Sequence, residues 1–150
     1  MEENLKNLDI DCTQINMDYL LDQVESSVIQ LAYPNIPTPS VVWDKKQKDL
    51  FIESLFLGIP CPILFLGSSN GVDYPLNGFN QIKTIVDYTN DKIIPEYACY
   101  LNYLNNKRFS ELDRPNLRSF KASRINLVYI KLNGISNEFL SSLLERIPIY

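Results

Sequence analysis

The chain has 150 residues, enough for one domain with a substantial hydrophobic core. Its formal net charge of −4 argues against nonspecific binding of nucleic acid through overall charge, although a local basic patch can still bind phosphate. No stretch of roughly 18 or more apolar residues occurs, so no membrane association is predicted. The start, Met1-Glu2-Glu3-Asn4, is acidic and polar, unlike a signal peptide, and we expect an intracellular protein of the cytoplasm or nucleus.

Histidine is absent, and the three cysteines, Cys12, Cys61 and Cys99, lie far apart in the sequence. The lack of histidine excludes His-based general-base catalysis and nucleophilic triads, and it argues strongly against a transition-metal site. The cysteine spacing is unlike that of metal ligands, so we predict no metal site and three buried or half-buried thiols.

The first forty residues offer few strong signals. Residues 1–16 are polar and weakly patterned, and we expect a flexible arm before a domain over residues 17–150. Asp18 is predicted to cap a short helix over residues 19–25. Residues 28–33 are predicted to form a strand that ends at the first of several prolines.

The next segment has clear helix and strand signals. Asp44 and Gln47 have the spacing of a capping box, and Gly58 is placed to end the helix that they begin. The apolar run over residues 63–66 is typical of a strand covered on both faces. Asn70-Gly71 predicts a two-residue hairpin turn, with a returning strand over residues 72–76.

The second half begins with a glycine at the mouth of a predicted helix, Gly78. A glycine at a strand-to-helix junction lets backbone N–H groups approach a phosphate. Residues 92–103 mix apolar and aromatic side chains, and we expect a strand pair or meander there. A short helix is predicted to start within residues 109–115 and to continue through Leu117 and Phe120. A strand over residues 125–130 and a last helix capped by Ser136 complete the chain. The sequence therefore predicts a single α+β domain with a small mixed sheet flanked by helices.

This order of motifs resembles the N-terminal domain of the GmrSD-type restriction proteins, which belong to the ParB/sulfiredoxin-like superfamily. The matching segments are Ile36-Pro37, Trp43-Asp44, Glu53-Ser54-Leu55, Gly58-Ile59-Pro60-Cys61-Pro62, Gly78, Thr84-Ile85 and Phe109-Ser110-Glu111-Leu112. The resemblance implies a ParB/sulfiredoxin-like fold for the domain. In the relatives, the Arg and Asp residues of these motifs are implicated in nucleotide binding and hydrolysis.

The chain departs from the family at the charged positions. The family's Asp-Gly-Gln-Gln-Arg motif reads Asn77-Gly78-Phe79-Asn80-Gln81 here, and its Gln-Arg pair aligns with Thr38-Pro39. A neutral amide cannot copy the bidentate grip of a guanidinium on phosphate, and Asn is a poor substitute for Asp at magnesium. We therefore expect a remnant nucleotide or anion pocket with no catalytic residue and no cofactor. Its predicted residues are Asn77, Gly78, Asn80, Gln81 and Thr38; the other interpretation is an ordinary helix N-terminus.

The richest basic region is predicted to bind nucleic acid. Its residues are Lys107, Arg108, Arg114, Arg118, Lys121 and Arg124. If residues 114–121 are helical, Arg114, Arg118 and Lys121 share one face; the alternative is a plain solvated face. Two weaker signals are a lysine cluster, Lys45, Lys46 and Lys48, and a tyrosine series, Tyr97, Tyr100 and Tyr103. We expect the lysines to be solvated; the alternative is contact with a nucleic-acid backbone or an acidic partner. We expect the tyrosines to pack in the core or in the sheet; the alternative is stacking on bases.

Two functions from different classes follow. The first is a non-catalytic binding module that acts on nucleic acid or on a protein partner, alone or as a homodimer. The second is a nucleotide-binding domain that hydrolyses an NTP with magnesium through residues other than the family's own. The abundance of Asn, Ile and Tyr suggests an AT-rich genome, that of a virus or of a low-GC bacterium.

Overall fold

The structure, a computed structural model, describes residues 8–32 and 41–148. The chain forms β1 (Ile10–Asn16), α1 (Met17–Glu25), α2 (Lys45–Phe56), β2 (Leu64–Ser69), β3 (Val72–Pro75), α3 (Phe79–Thr89), α4 (Arg114–Ala122), β4 (Arg124–Lys131) and α5 (Asn137–Arg146). Two 3-10 turns, Asn102–Leu104 and Phe109–Glu111, precede α4. Within these described ranges no helix is both long and apolar enough to cross a membrane.

The four described strands form one mixed sheet in the order β1-β4-β2-β3. β4 runs parallel to β2, whereas the β1–β4 and β2–β3 pairs are antiparallel. The parallel pair requires a long crossover connection, and the chain between β2 and β4 supplies it with β3, α3 and α4. The prediction of an α+β domain with a small mixed sheet and flanking helices is confirmed.

Side-chain alternation along the strands builds a core on each face of the sheet. Leu64 and Leu66 of β2 pack into the larger core together with α1, α2, α3 and α4. Phe65, between them, packs on the opposite face, where Leu140 and Leu143 of α5 complete a smaller core. The all-apolar run in β2 therefore reflects burial on both faces, as predicted.

The expected flexible arm is wrong for residues 10–16, which form β1 at the edge of the sheet. The sequence did not predict this strand, because β1 is exposed on both faces and has little apolar alternation. Its backbone hydrogen bonds to β4 hold it in place. α1 follows directly, with Asn16 rather than Asp18 as its N-cap, and the proposed boundary at residue 17 falls inside continuous structure. Residues 1–7 lie outside the described residues.

Of the strand predicted over residues 28–33, the described part, residues 28–32, forms only an isolated bridge at the other edge of the sheet, and residue 33 lies outside the described residues. Ile29 pairs with Asp73 of β3, where the Gln30 N–H donates to the Asp73 carbonyl at 2.9 Å and the Asp73 N–H donates to the Val28 carbonyl at 2.7 Å. This bridge protects part of the β3 edge, because it pairs backbone groups that would otherwise face solvent.

The caps and the hairpin turn that were predicted from local sequence signals are confirmed. Asp44 and Gln47 form the capping box of α2, and the Ser136 side chain caps α5. Asn70 and Gly71 take positive φ angles of 53° and 77° in the β2–β3 hairpin, as a type I′ turn requires. By contrast, the strand pair or meander expected over residues 92–103 does not form. Backbone N–H groups of this segment instead donate hydrogen bonds to the side chains of Asp49 and Glu53 on α2.

Candidate functional site

The junction before α3 depends on Gly78 for packing as well as for backbone geometry. Gly78 has a φ of 73°, in the left-handed region. A Cβ placed there would lie 2.3 Å from Leu64 Cδ2, so a side chain would collide with β2. The close approach of this turn to the sheet is therefore sufficient reason for a glycine, independent of any ligand.

Asn77 links β2 to the last part of the chain. Its Oδ1 accepts a hydrogen bond from the Phe65 backbone N–H at 2.8 Å, and its Nδ2 donates to the Pro148 carbonyl at 2.9 Å. Both ends of the amide are thus engaged by the protein. Asn77 has a structural role in the position where the family resemblance places an acidic residue.

Asn80 has a similar role on the other side of the junction. Its Oδ1 accepts from the Trp43 N–H at 3.2 Å, and its Nδ2 donates to the Val41 carbonyl at 3.1 Å. These bonds hold the approach to α2, where the Trp43 ring packs edge-on against Phe51 with 5.2 Å between centroids. The buried Asn80 amide therefore positions a helix start.

Gln81 differs from the two asparagines because its Oε1 is buried without a hydrogen-bond partner in the structure. Thr84 Oγ1 and Tyr88 Oη, on the same helix at intervals of three and four residues, share this property. Burial raises the pKa of Tyr88 above its ordinary value, so the phenol stays neutral. The three side chains form a buried row along α3, and these three oxygen atoms have no hydrogen-bond partner in the described structure.

The structure brings together four of the five predicted pocket residues, Asn77, Gly78, Asn80 and Gln81. The fifth, Thr38, lies outside the described residues. Two of the four use their amides in structural bonds, and the glycine serves close packing. No group of three or more acidic or cysteine side chains in the described ranges is arranged to hold a metal ion.

The basic region contains the predicted helix, α4. Asp113 caps it by accepting from the Asn116 N–H at 3.0 Å, and Phe120 anchors it in a cluster of aromatic rings. At 3.6 residues per turn, Arg114, Arg118 and Lys121 fall within an arc of about 60°. The prediction that these three cations share one helix face is confirmed.

All six predicted basic residues are exposed. The ion pairs seen in the described part of the chain involve other cations, those of Lys45, Lys83 and Lys131. Arg124 differs from its neighbours because its Nη1 donates to Gln14 Oε1 on β1 at 3.1 Å. Lys107 and Arg108 lie ahead of α4, near the 3-10 turn at Phe109–Glu111.

Lys45 has a structural contact that the sequence did not predict. Its Nζ lies 2.5 Å from Asp49 Oδ1 and 2.6 Å from the Ile94 carbonyl oxygen, so it joins α2 to the segment that follows α3. Lys46 is exposed and Lys48 is half-buried. The expectation of three solvated lysines is therefore wrong for Lys45.

The sequence did not predict that two carboxylates on α2, Asp49 and Glu53, are buried. Asp49 Oδ2 accepts from the N–H groups of Glu96 and Tyr97 at 2.8 and 3.2 Å. One turn later, Glu53 Oε2 accepts from Tyr100 and Leu101 at 2.8 and 2.9 Å. Their spacing of four residues on a buried helix face was the available signal. These bonds satisfy the backbone of an extended segment that has no strand partner.

Glu53 remains ionised because its hydrogen bonds outweigh its burial. Removal from water by itself would raise the pKa of Glu53, whereas the bonds from Leu101, Tyr100 and Cys99 lower it, and the net shift is downward. The carboxylate is thus matched to backbone donors and serves to hold the segment in place.

The segment held by α2 presents its tyrosines to solvent. Tyr97, Tyr100 and Tyr103 are 47%, 81% and 39% exposed, so the expectation that they pack in the core is wrong. Tyr103 Oη lies 3.2 Å from Asn116 Oδ1 of α4, which places the end of this segment beside the basic helix.

Comparison of the chain with family models, curated proteins and solved structures finds no match.

Proposed function

We propose that the chain is a nucleic-acid-binding module on a ParB/sulfiredoxin-like domain, and that α4 contacts the phosphate backbone. The observation that carries the proposal is the exposed cationic face of α4: Arg114, Arg118 and Lys121 lie side by side and form no ion pair within the described residues. Guanidinium groups bind phosphate oxygens through bidentate hydrogen bonds. A local cationic stripe attracts phosphate even on a chain of net charge −4.

The bonding at the start of α3 supports a binding role over hydrolysis. The amides of Asn77 and Asn80 are engaged by backbone groups, and the buried carboxylates Asp49 and Glu53 hold backbone N–H groups. These polar side chains serve folding, and the proposed function uses no cofactor. An acidic protein surface is the other ligand that the α4 cations fit, and it becomes the conclusion if nucleic acid does not bind.

Fluorescence anisotropy with a short labelled DNA duplex tests the proposal. The double variant Arg118→Glu and Lys121→Glu is compared with a control, Lys46→Glu and Lys92→Glu, which changes the net charge equally at exposed positions elsewhere. We expect the α4 variant to bind at least about 10-fold more weakly and to lower the salt slope of log K by about 2, because two phosphate contacts are lost. Equal binding by wild type and α4 variant would remove α4 as the interface.

The buried row along α3 favours a second candidate, the nucleotide-binding domain that hydrolyses an NTP with magnesium. The unused Oε1 of Gln81 lies beside Gly78, 3.8 Å from where a Cβ would stand on that glycine. A thermal shift with ATP, GTP and CTP plus magnesium separates the two functions. A ligand that binds only the folded state raises Tm, so a rise of several degrees with any nucleotide favours this candidate, whereas the binding module predicts none.

A further inference from the structure

The outer edge of β1 is the open edge of the described sheet. At the opposite edge, β3 has only 4 residues and is partly covered by the bridge between Ile29 and Asp73. β1 has 7 residues, and all of them are exposed except Ile15, which is half-buried. Within residues 8–32 and 41–148, β1 pairs with β4 alone. One full side of this strand is therefore available to another strand.

The bonds at the two ends of β1 show which backbone groups face the open edge. The Lys131 N–H donates to the Asp9 carbonyl at 3.0 Å, and the Met17 N–H donates to the Ser123 carbonyl at 2.8 Å. Both pairs continue the register of β1 with β4. In an antiparallel ladder, hydrogen-bonded pairs alternate with pairs that are not bonded. The odd-numbered residues of β1 therefore bond to β4, and the even-numbered residues direct their N–H and C=O groups outward.

The strand lacks the features that usually protect an edge. Such edges carry lysine, proline or a bulge, or are covered by another element, because unpaired backbone groups recruit further strands. β1 contains neither lysine nor proline, its register with β4 has no bulge, and Asp11 is its one charged residue. The chain therefore presents a regular, almost uncharged strand edge.

The β1 sequence is complementary to itself in the antiparallel direction. A twofold axis at Thr13 places this residue opposite Thr13 of a second copy, and it places Cys12 opposite Gln14. Cys12 and Gln14 both direct their backbone groups outward, so each such pair exchanges both N–H···O bonds. Threonines that face each other across two strands also contribute favourably.

Charge does not oppose this pairing. In the same register Asp11 lies opposite Ile15 of the second copy, so no like charges meet directly. The two Asp11 residues are offset by four positions along the strand, about 14 Å, which exceeds the screening length of about 8 Å at physiological salt.

Pairing of two copies through β1 also closes the assembly. The same edge of each chain is used, and the outer edges of the joined sheet are then the two β3 strands, which the bridge at Ile29 partly covers. The axis is perpendicular to the sheet, so the two α4 helices, which pack on the larger core, lie on the same side.

We infer that the open edge of β1 is a self-association surface, at which a second copy of this chain adds its own β1 antiparallel to form one continuous sheet. The inference does not depend on the proposed nucleic-acid binding.

Sedimentation velocity of the full chain, from about 1 µM to about 500 µM, tests the inference, since an interface of this small size is weak. Wild type is expected to reach twice the mass of the chain as its concentration rises. Cys12→Pro should raise the dimer Kd about 10-fold or more, because it removes an outward N–H from each copy. The N–H lost from the single chain faces solvent, and proline is tolerated at such an edge position. Cys12→Ala is the matched control, because it changes the side chain and keeps the N–H; Tm values establish that both variants are folded.

Disulfide trapping tests the register without relying on the proline variant. Thr13→Cys is made in a background of Cys12→Ser and Cys99→Ser, which leaves Cys61 buried. In the proposed register the two new cysteines form a pair that is not hydrogen-bonded, with Cα atoms about 4.5 Å apart, within the range of disulfides. Mild oxidation should give a covalent dimer. Ser141→Cys, at an exposed position of α5 in the same background, is the control and should stay monomeric.

Three results would overturn the inference. The first is a wild type that stays monomeric at every concentration, which leaves the edge to residues 1–7 or to a strand of another protein. The second is a dimer that a folded Cys12→Pro variant forms as tightly as Cys12→Ala does, which places the interface elsewhere. The third is trapping at Thr13→Cys no faster than at Ser141→Cys. None of these measurements involves nucleic acid, so each of these results leaves the proposed function standing.

Discussion

Glu53 accepts hydrogen bonds from the backbone N–H groups of Tyr100 and Leu101 although 47 and 48 residues separate them in the sequence. With Asp49, one turn earlier, it fixes the segment between α3 and α4 along the side of α2. The exposed tyrosines of that segment are therefore presented by a backbone held at two successive turns of a helix.

Replacing Glu53 with Ala is expected to destabilise the protein strongly. Two partly buried N–H groups would lose a charged acceptor, and a hydrogen bond to a charged group contributes about 1.5 to 3 kcal/mol, so we expect a loss of about 2 to 5 kcal/mol in the free energy of unfolding. Urea denaturation measures it. Glu138→Ala, at an exposed position of α5, is the control and should change stability by less than about 0.5 kcal/mol. An equally small loss for Glu53→Ala would show that its hydrogen bonds to Tyr100 and Leu101 contribute little to stability.

The lowered pKa of Glu53 predicts a dependence of stability on acid. A carboxyl whose pKa is lower in the folded state contributes stability above its unfolded pKa of about 4.3, and this contribution is lost as pH falls through the folded pKa. Urea midpoints measured from pH 7 downward should therefore decline below about pH 4.5. Glu53→Gln cannot titrate at this position, so its decline should be shallower; parallel curves for the two proteins would contradict the assignment.

Gly78→Ala is expected to destabilise more than Gly58→Ala. Both glycines have positive φ angles, 73° and 80°, so both substitutions carry the left-handed penalty of about 1 to 2 kcal/mol. Only at Gly78 would the new Cβ meet Leu64, since nothing lies within 4 Å at Gly58. We expect an additional loss of about 1 to 3 kcal/mol at Gly78, measured by urea denaturation. Equal losses would show that the junction can move away from β2.

The three cysteines should differ in reactivity. Cys61 is buried, as predicted, and its burial raises the thiol pKa to about 12. Cys12 and Cys99 are exposed, so the expectation of buried or half-buried thiols is wrong for these two. Because the thiolate is the reactive form, a thiol-specific reagent at neutral pH should label Cys12 and Cys99 in the folded protein and Cys61 only after unfolding. Mass spectrometry of digested protein identifies the labelled positions. Labelling of Cys61 at a rate like that of Cys99 would contradict its buried placement.

Many of the elements could be predicted because their signals lie within a few residues of one another. The capping box of Asp44 and Gln47, the helix end at Gly58 and the hairpin at Asn70-Gly71 each follow from local backbone and side-chain chemistry. The shared face of the α4 cations follows equally from helix geometry. The resemblance to the ParB/sulfiredoxin-like domains stays a prediction.

Only the tertiary structure decided the features that depend on residues distant in sequence. β1 has little apolar pattern of its own and is a strand because β4 pairs with it. The sequence of the segment after α3 predicts strands, yet its backbone N–H groups donate hydrogen bonds to the Asp49 and Glu53 carboxylates of α2. The amides of Asn77 and Asn80 likewise find their partners only in the fold. The sequence by itself thus determined local turns, caps and helix faces, while long-range pairing decided how exposed strands and buried polar groups are satisfied.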